Sequence, residues 1–222
     1  MADLYYEVDD RTDTTVTVDA KWAKRVKGAV FCPQCSNLRR GSAPIDVMVN
    51  EIEGGFALAS TLPFCLTVLS TAFIDAIGRT EVERAFEFRR LLRPDGRAHP
   101  EYSVAYGRES TYIRASAKSE HWVCTGCGHS TYFGVGSRYT TRAVVGSNVG
   151  IYEEVGGRGL IINHTLRQRL GREWDSFLKF YKLPIREHAM DGLPDVWPMY
   201  PTEEQLRGYV PRKMEFKNSS TK

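Results

Sequence analysis

Two cysteine pairs carry the clearest chemistry in this sequence: Cys32-Pro33-Gln34-Cys35 and Cys124-Thr125-Gly126-Cys127. Two thiols at C-x-x-C spacing project from one side of a tight turn, which is half of the tetrahedral four-cysteine shell that Zn2+ prefers. Neither pair closes a site alone. The spacing therefore predicts one shared ion with Cys32, Cys35, Cys124 and Cys127 as its ligands. The turn residues agree, because Pro33 presets the backbone while Gly126 and Gly128 tolerate positive φ, where backbone N–H groups can face the thiolates. The competing reading is a set of unrelated redox or free thiols. A thioredoxin-like pair needs a helix directly after its first cysteine, and Ser36-Asn37-Leu38 is a poor start for one.

The expected role of the metal is structural. Four thiolates fill the shell, whereas a catalytic zinc keeps one position open for water. An ion pinning such remote segments stabilises, in the loop-closure picture, by on the order of 4 kcal/mol. His121 and His129 flank the second pair and are the alternative ligands; otherwise they are exposed residues at strand ends. Cys65 reads as a small core residue ahead of a buried strand. Elsewhere there is no G-x-S-x-G elbow, no H-E-x-x-H and no Walker A loop, so the expectation is that the protein is not an enzyme. Gly156-Gly157-Arg158-Gly159 leads into a strand and reads as a flexible turn. Glu51, Glu53, Glu153 and Glu154 read as solvated faces.

The elements that must position the cysteines are strands. Ala29-Val30-Phe31 precedes the first pair, His121-Trp122-Val123 precedes the second, and Thr131-Tyr132-Phe133 follows it, giving a zinc ribbon split between residues 29–38 and 121–133. The fold class expected is α+β, with mainly antiparallel sheets and short helices in a single domain over residues 1–210. Leu4 to Val8 is an opening strand with Thr15 to Val18 as its hairpin partner. Asp19 caps a short helix anchored by Trp22, and Pro44 to Val49 alternates as a strand. Two related strand-helix-strand units span 64–92 and 158–185. Each has a strand, a cap (Ser70, Asn163), a two-turn helix, a Gly-Arg step (Gly78-Arg79, Gly171-Arg172) and a returning aromatic strand. Between them lie short strand candidates at 103–106, 111–114 and 142–145. Met190 to Pro198 reads as extended through its prolines, a short helix starts at Thr202, and 211–222 reads as a flexible basic tail.

Bulk properties bound the answer without deciding it. The chain has 222 residues, 42% hydrophobic and 26% charged, which excludes wholesale disorder. A net charge of +3, with Lys and Arg scattered, makes no argument for nucleic acid. The uncharged stretch from Gly54 to Ile74 holds too much Gly, Ser, Thr and Pro for a lipid-facing helix, so no membrane span is expected. No signal peptide is evident at Met1-Ala2-Asp3-Leu4. Five cysteines, four of them in C-x-x-C pairs, suit a metal in a reducing compartment, and so a cytoplasmic protein.

The arrangement resembles the double-CXXCG motif family, known chiefly as myxobacterial paralogues and associated with immunity to swarm-inhibition (Sit-type) toxins. The resemblance rests on Trp22 ahead of Val30-Phe31-Cys32-Pro33-Gln34-Cys35, the Pro44 to Val49 strand and Phe86-Glu87-Phe88-Arg89 before Pro94-Asp95-Gly96. It continues through Cys124-Thr125-Gly126-Cys127-Gly128 and the closing unit to Pro184, covering roughly Val16 to Ile185. Only the second pair carries the full motif; Ser36 stands where the family has Gly. The resemblance implies an immunity protein that binds and neutralises a cognate toxin. The alternative is a zinc-ribbon protein acting on nucleic acid, with Lys24, Arg25, Lys27, Arg39 and Arg40 near the first pair.

Overall fold

The computed structural model describes residues 4–11, 14–52, 55–108, 110–116, 118–145, 150–155, 159–207 and 212–214. The architecture is α+β, with short helices on mixed, mostly antiparallel sheets. A six-stranded sheet runs in the order Thr15–Thr17, Leu58–Leu62, Thr67–Ser70, Ala98–Gly107, Phe86–Leu92, Val47–Met48. A five-stranded sheet runs Ser110–Thr111, Ile151–Glu154, Leu160–Asn163, Tyr5–Asp10, Leu178–Leu183. Two three-stranded sheets complete the set.

The two larger sheets follow one plan, residue for residue. Leu58 lies opposite Leu69 as Ile151 lies opposite Ile162, both antiparallel. Ser70 then faces Tyr102 as Asn163 faces Tyr5. Each returning strand pairs with the far side of that central strand, Phe88 with Ala105 and Phe180 with Val8, so it runs parallel to the strand that left. The edges also agree, since Thr15–Thr17 and Ser110–Thr111 join in parallel. Two things differ: the first sheet adds Val47–Met48 beside its returning strand, and its central strand Ala98–Gly107 follows its unit in sequence, whereas Tyr5–Asp10 precedes the second unit and completes it from a distance.

Local chemistry explains the shared turns. Ser70 Oγ accepts from Phe73 N at 3.2 Å, and Asn163 Oδ1 accepts from Leu166 N at 2.9 Å, each satisfying a free amide in the helix's first turn. Gly78 and Gly171 follow the C-terminal ends of these helices at φ 116° and 67°. The buried sides, Phe73 and Ile77 against Leu166 and Leu170, meet in one core together with Tyr6, Val8 and Phe86. Glu153 ties the sheets together: its carboxylate accepts from Thr67 Oγ1 (3.1 Å), Gly107 N (3.0 Å) and Ser110 Oγ (3.1 Å). It is not a solvated face.

Several elements differ from the pattern read in the sequence. Residues after Gly78 form a second helix, Arg79–Ala85, because Val82 and Ala85, three apart, are both buried. Thr15–Thr17 does not hairpin with the first strand; Asp10 Oδ2 accepts from Thr14 N at 2.7 Å and the chain passes on to Leu58–Leu62. Arg142–Val145 is a helical turn, and Ala29 to Phe31 is a turn with isolated bridges instead of a strand. Residues 190–200 follow successive bends. Arg212–Met214 is a strand parallel to Trp122–Cys124, while the rest of 211–222 and residues 156–158 lie outside the described residues. Among the described residues, no helix is long and apolar enough to cross a membrane.

Candidate metal centre

Each C-x-x-C pair is the tip of a hook, and the first hook, Cys32 to Cys35, follows the helix Ala20–Val26, which Asp19 caps through Trp22 N at 2.7 Å. Trp22, Phe31 and Phe64 pack ring against ring, with Phe31 and Phe64 stacked at 4.2 Å, and this aromatic cluster fixes the approach to Cys32. The second hook is the tip of the hairpin Lys118–Cys124 and Ser130–Val135. Both hooks close with the same bonds. Ser36 N donates to Cys32 O (2.9 Å) and Cys32 N to Asn37 O (2.8 Å); Gly128 N donates to Cys124 O (2.8 Å) and Cys124 N to His129 O (2.8 Å).

The four cysteines converge. Cys32 and Cys124 Sγ are 3.8 Å apart, Cys35 and Cys127 Sγ are 3.6 Å apart, and each of these pairs bridges 92 positions. All four sulfurs lie within 4.8 Å of one another. A tetrahedral thiolate shell with bonds of about 2.3 Å has edges of about 3.8 Å, so the donor set fits an ion such as Zn2+. Disulfides are excluded, since those need sulfurs about 2 Å apart.

Electrostatics favour a cation between the hooks. Burial pushes the Cys32 thiol up, but the backbone N–H groups of Cys35 and Gln34 outweigh it and hold Cys32 down at about 7. Burial raises Cys35 and Cys127, and the neighbouring Cys35 sulfur raises Cys127 further. Four thiolates this close repel one another, and only a central positive charge removes that penalty.

The two histidines are not part of this cluster. His129 is buried, not exposed at a strand end, and meets Tyr200 edge-on at 5.3 Å; His121 meets Trp197 at 4.6 Å and contacts Ser130 Oγ at 2.5 Å. Burial lowers both to about 4, so they are neutral near pH 7. Cys65 is exposed, contrary to the core role read from sequence: it sits at φ 51° between buried Phe64 and Leu66. Sequence reasoning missed Gln34, whose Oε1 lies 3.6 Å from Cys124 Sγ and 3.2 Å from Thr125 Oγ1. It also missed Tyr200, which donates to Leu38 O in the loop after the first hook and so latches the far end of the chain onto the centre. Neither position carries a motif; only the fold brings them here.

No protein-family model matches the chain, and no curated protein matches it. What the site can do follows from its donor set: four sulfurs from two remote hooks, able to hold one metal ion.

Proposed function

We propose that Cys32, Cys35, Cys124 and Cys127 hold one structural Zn2+, and that the protein is a cytoplasmic immunity protein of the double-CXXCG kind that binds and neutralises a cognate toxin. The observation that carries the metal reading is the convergence of four sulfurs at 3.6–3.8 Å across the hooks. The ion supplies the positive charge that four thiolates need and crosslinks the hooks. The chain's own groups do the rest: backbone amides face Cys32, and Tyr200 holds the first hook's loop against the second hook. Support for the immunity reading is the motif itself and a fold clamped at one end with ample loop surface for a protein partner. Its test is co-expression with the product of the adjacent gene. Tight co-purification and rescue of growth support it; a neighbour that neither binds nor harms cells counts against it.

The second reading is a nucleic-acid-binding zinc ribbon. Lys24, Arg25, Lys27, Arg39 and Arg40 all stay exposed around the first hook, which favours it. Retention on DNA or RNA that falls steeply with salt distinguishes this reading from the first.

A further inference from the structure

A cleft of about 560 Å3 opens where the two units meet, lined by Phe56, Tyr102, Trp174 and Phe177, with Glu101 also on its wall. Phe56 and Tyr102 stack at 4.2 Å, and Gly55 N donates to Tyr102 Oη at 3.0 Å, so that wall is fixed. Trp174 is braced edge-on by Phe73 at 5.4 Å, while Phe177 is 45% exposed. Glu101 is exposed, and among the described residues it forms no salt bridge and no Lys or Arg lines the cleft. Four aromatic residues and one acidic residue, with no basic residue among them, make a lining suited to an organic cation.

The two units differ in residue type at this place. Ser70 N donates to Ala57 O as Asn163 N donates to Gly150 O, which makes Gly150 the counterpart of Ala57. A Cβ on Gly150 would come within 2.8 Å of Asn163 Nδ2 and 3.1 Å of Leu166 Cδ1, so glycine stands where the first unit has alanine. One position before the equivalent tyrosines, Glu101 has Leu4 as its counterpart, so the charge is particular to the first unit.

We propose that this cleft is a binding site for the guanidinium group of an arginine presented by a partner protein. A planar, weakly hydrated cation stacks on aromatic rings and pairs with a carboxylate, which an ammonium does less well. The inference does not rest on the metal centre or on the immunity reading.

The test is NMR titration of the intact protein, following the Trp174 indole signal assigned with Trp174→Phe. The probes are N-acetyl-arginine amide, its neutral isostere N-acetyl-citrulline amide, and tetramethylammonium. The arginine probe is expected to shift the signal saturably in the millimolar range, with binding about fivefold weaker in Glu101→Gln, an exposed change that spares the fold. Citrulline binding as tightly would reduce the cleft to an apolar surface and overturn the proposal. Tetramethylammonium binding as well as or better than arginine would overturn the arginine assignment in favour of a free cation. Absence of a saturable shift from the arginine probe up to tens of millimolar would overturn it outright.

Discussion

Ser36 and Gly128 hold the same left-handed turn, at φ 61° and 74°, each one residue past the last cysteine of its hook. Each also donates its amide to the first cysteine's carbonyl, at 2.9 and 2.8 Å. The serine standing where the second hook has glycine therefore changes no ligand; it places a side chain where L residues are strained by about 1–2 kcal/mol. Ser36→Gly is expected to raise stability by up to about 1 kcal/mol, the unfolded-state entropy of glycine offsetting part of the gain. Gly128→Ala should lose about 1–2 kcal/mol. Urea unfolding of both variants checks the pair, and a Ser36→Gly protein less stable than the parent contradicts the shared turn.

Metal content gives the second prediction. Carefully purified protein should carry one zinc ion per chain by elemental analysis, and Cys124→Ser should remove it. Loss of a crosslink spanning 92 positions should lower unfolding stability by roughly 3–5 kcal/mol. Cys65→Ser, at an exposed thiol outside the cluster, should leave both measurements unchanged.

Gly126 is held by space, not by conformation. A Cβ there would lie 2.7 Å from Gln34 Oε1 and 3.3 Å from Cys32 Sγ. The amide of Gln34 can swing away; the sulfur of a ligand cannot. Gly126→Ala is therefore expected to weaken zinc affinity about 10- to 100-fold in competition with a chelating dye. Adding Gln34→Ala should recover only part of that loss, and full recovery would show that the sulfur contact is unimportant.

The parts of this fold written in short-range chemistry were legible. Asp19, Ser70, Asn163 and Thr202 each cap the helix expected of them, since a side-chain oxygen and an amide a few residues on need nothing else. The C-x-x-C spacing marked the four sulfurs for the same reason. Pairing across distance was not legible: nothing in Tyr5–Asp10 says that it completes the second unit, between Leu160–Asn163 and Leu178–Leu183. Cys65 was misread because its neighbours Phe64 and Leu66 are apolar, yet it lies at φ 51° in a turn, its amide donating to Thr61 O, and its side chain is left exposed. His129 is buried by Tyr200, a contact visible only after folding.

Glu154 makes stability depend on pH. Burial raises its carboxyl to about 7; Arg138 pulls it down and Asp9 pushes it up. An acid whose folded pKa lies above its unfolded value of about 4.3 stabilises most below that value, and the contribution disappears as pH rises through the folded pKa. Wild-type protein should therefore lose thermal stability relative to Glu154→Gln between about pH 4.5 and 7. Parallel melting curves across that window would refute the shift.

Arg114 and Asp191 form the most deeply buried ion pair among the described residues, 2.8 Å apart with side chains 3% and 1% exposed. Its satisfaction is thorough: Arg114 also donates to Pro194 O and lies 5.7 Å from the Tyr132 ring, while Asp191 Oδ1 accepts from Leu193 N at 3.1 Å. These bonds fasten the 189–200 segment, and through it Trp197 and Tyr200, over the second hook's hairpin. Removing one partner strands the other charge in the interior, so Asp191→Ala should cost about 3–5 kcal/mol. Replacing both with apolar residues of similar volume should cost much less, because no charge is then left without a partner. Denaturant unfolding of the single and double variants decides the matter. If the double variant were as unstable as the single, the segment would be held by the specific bonds of the pair, not by the avoidance of a lone buried charge.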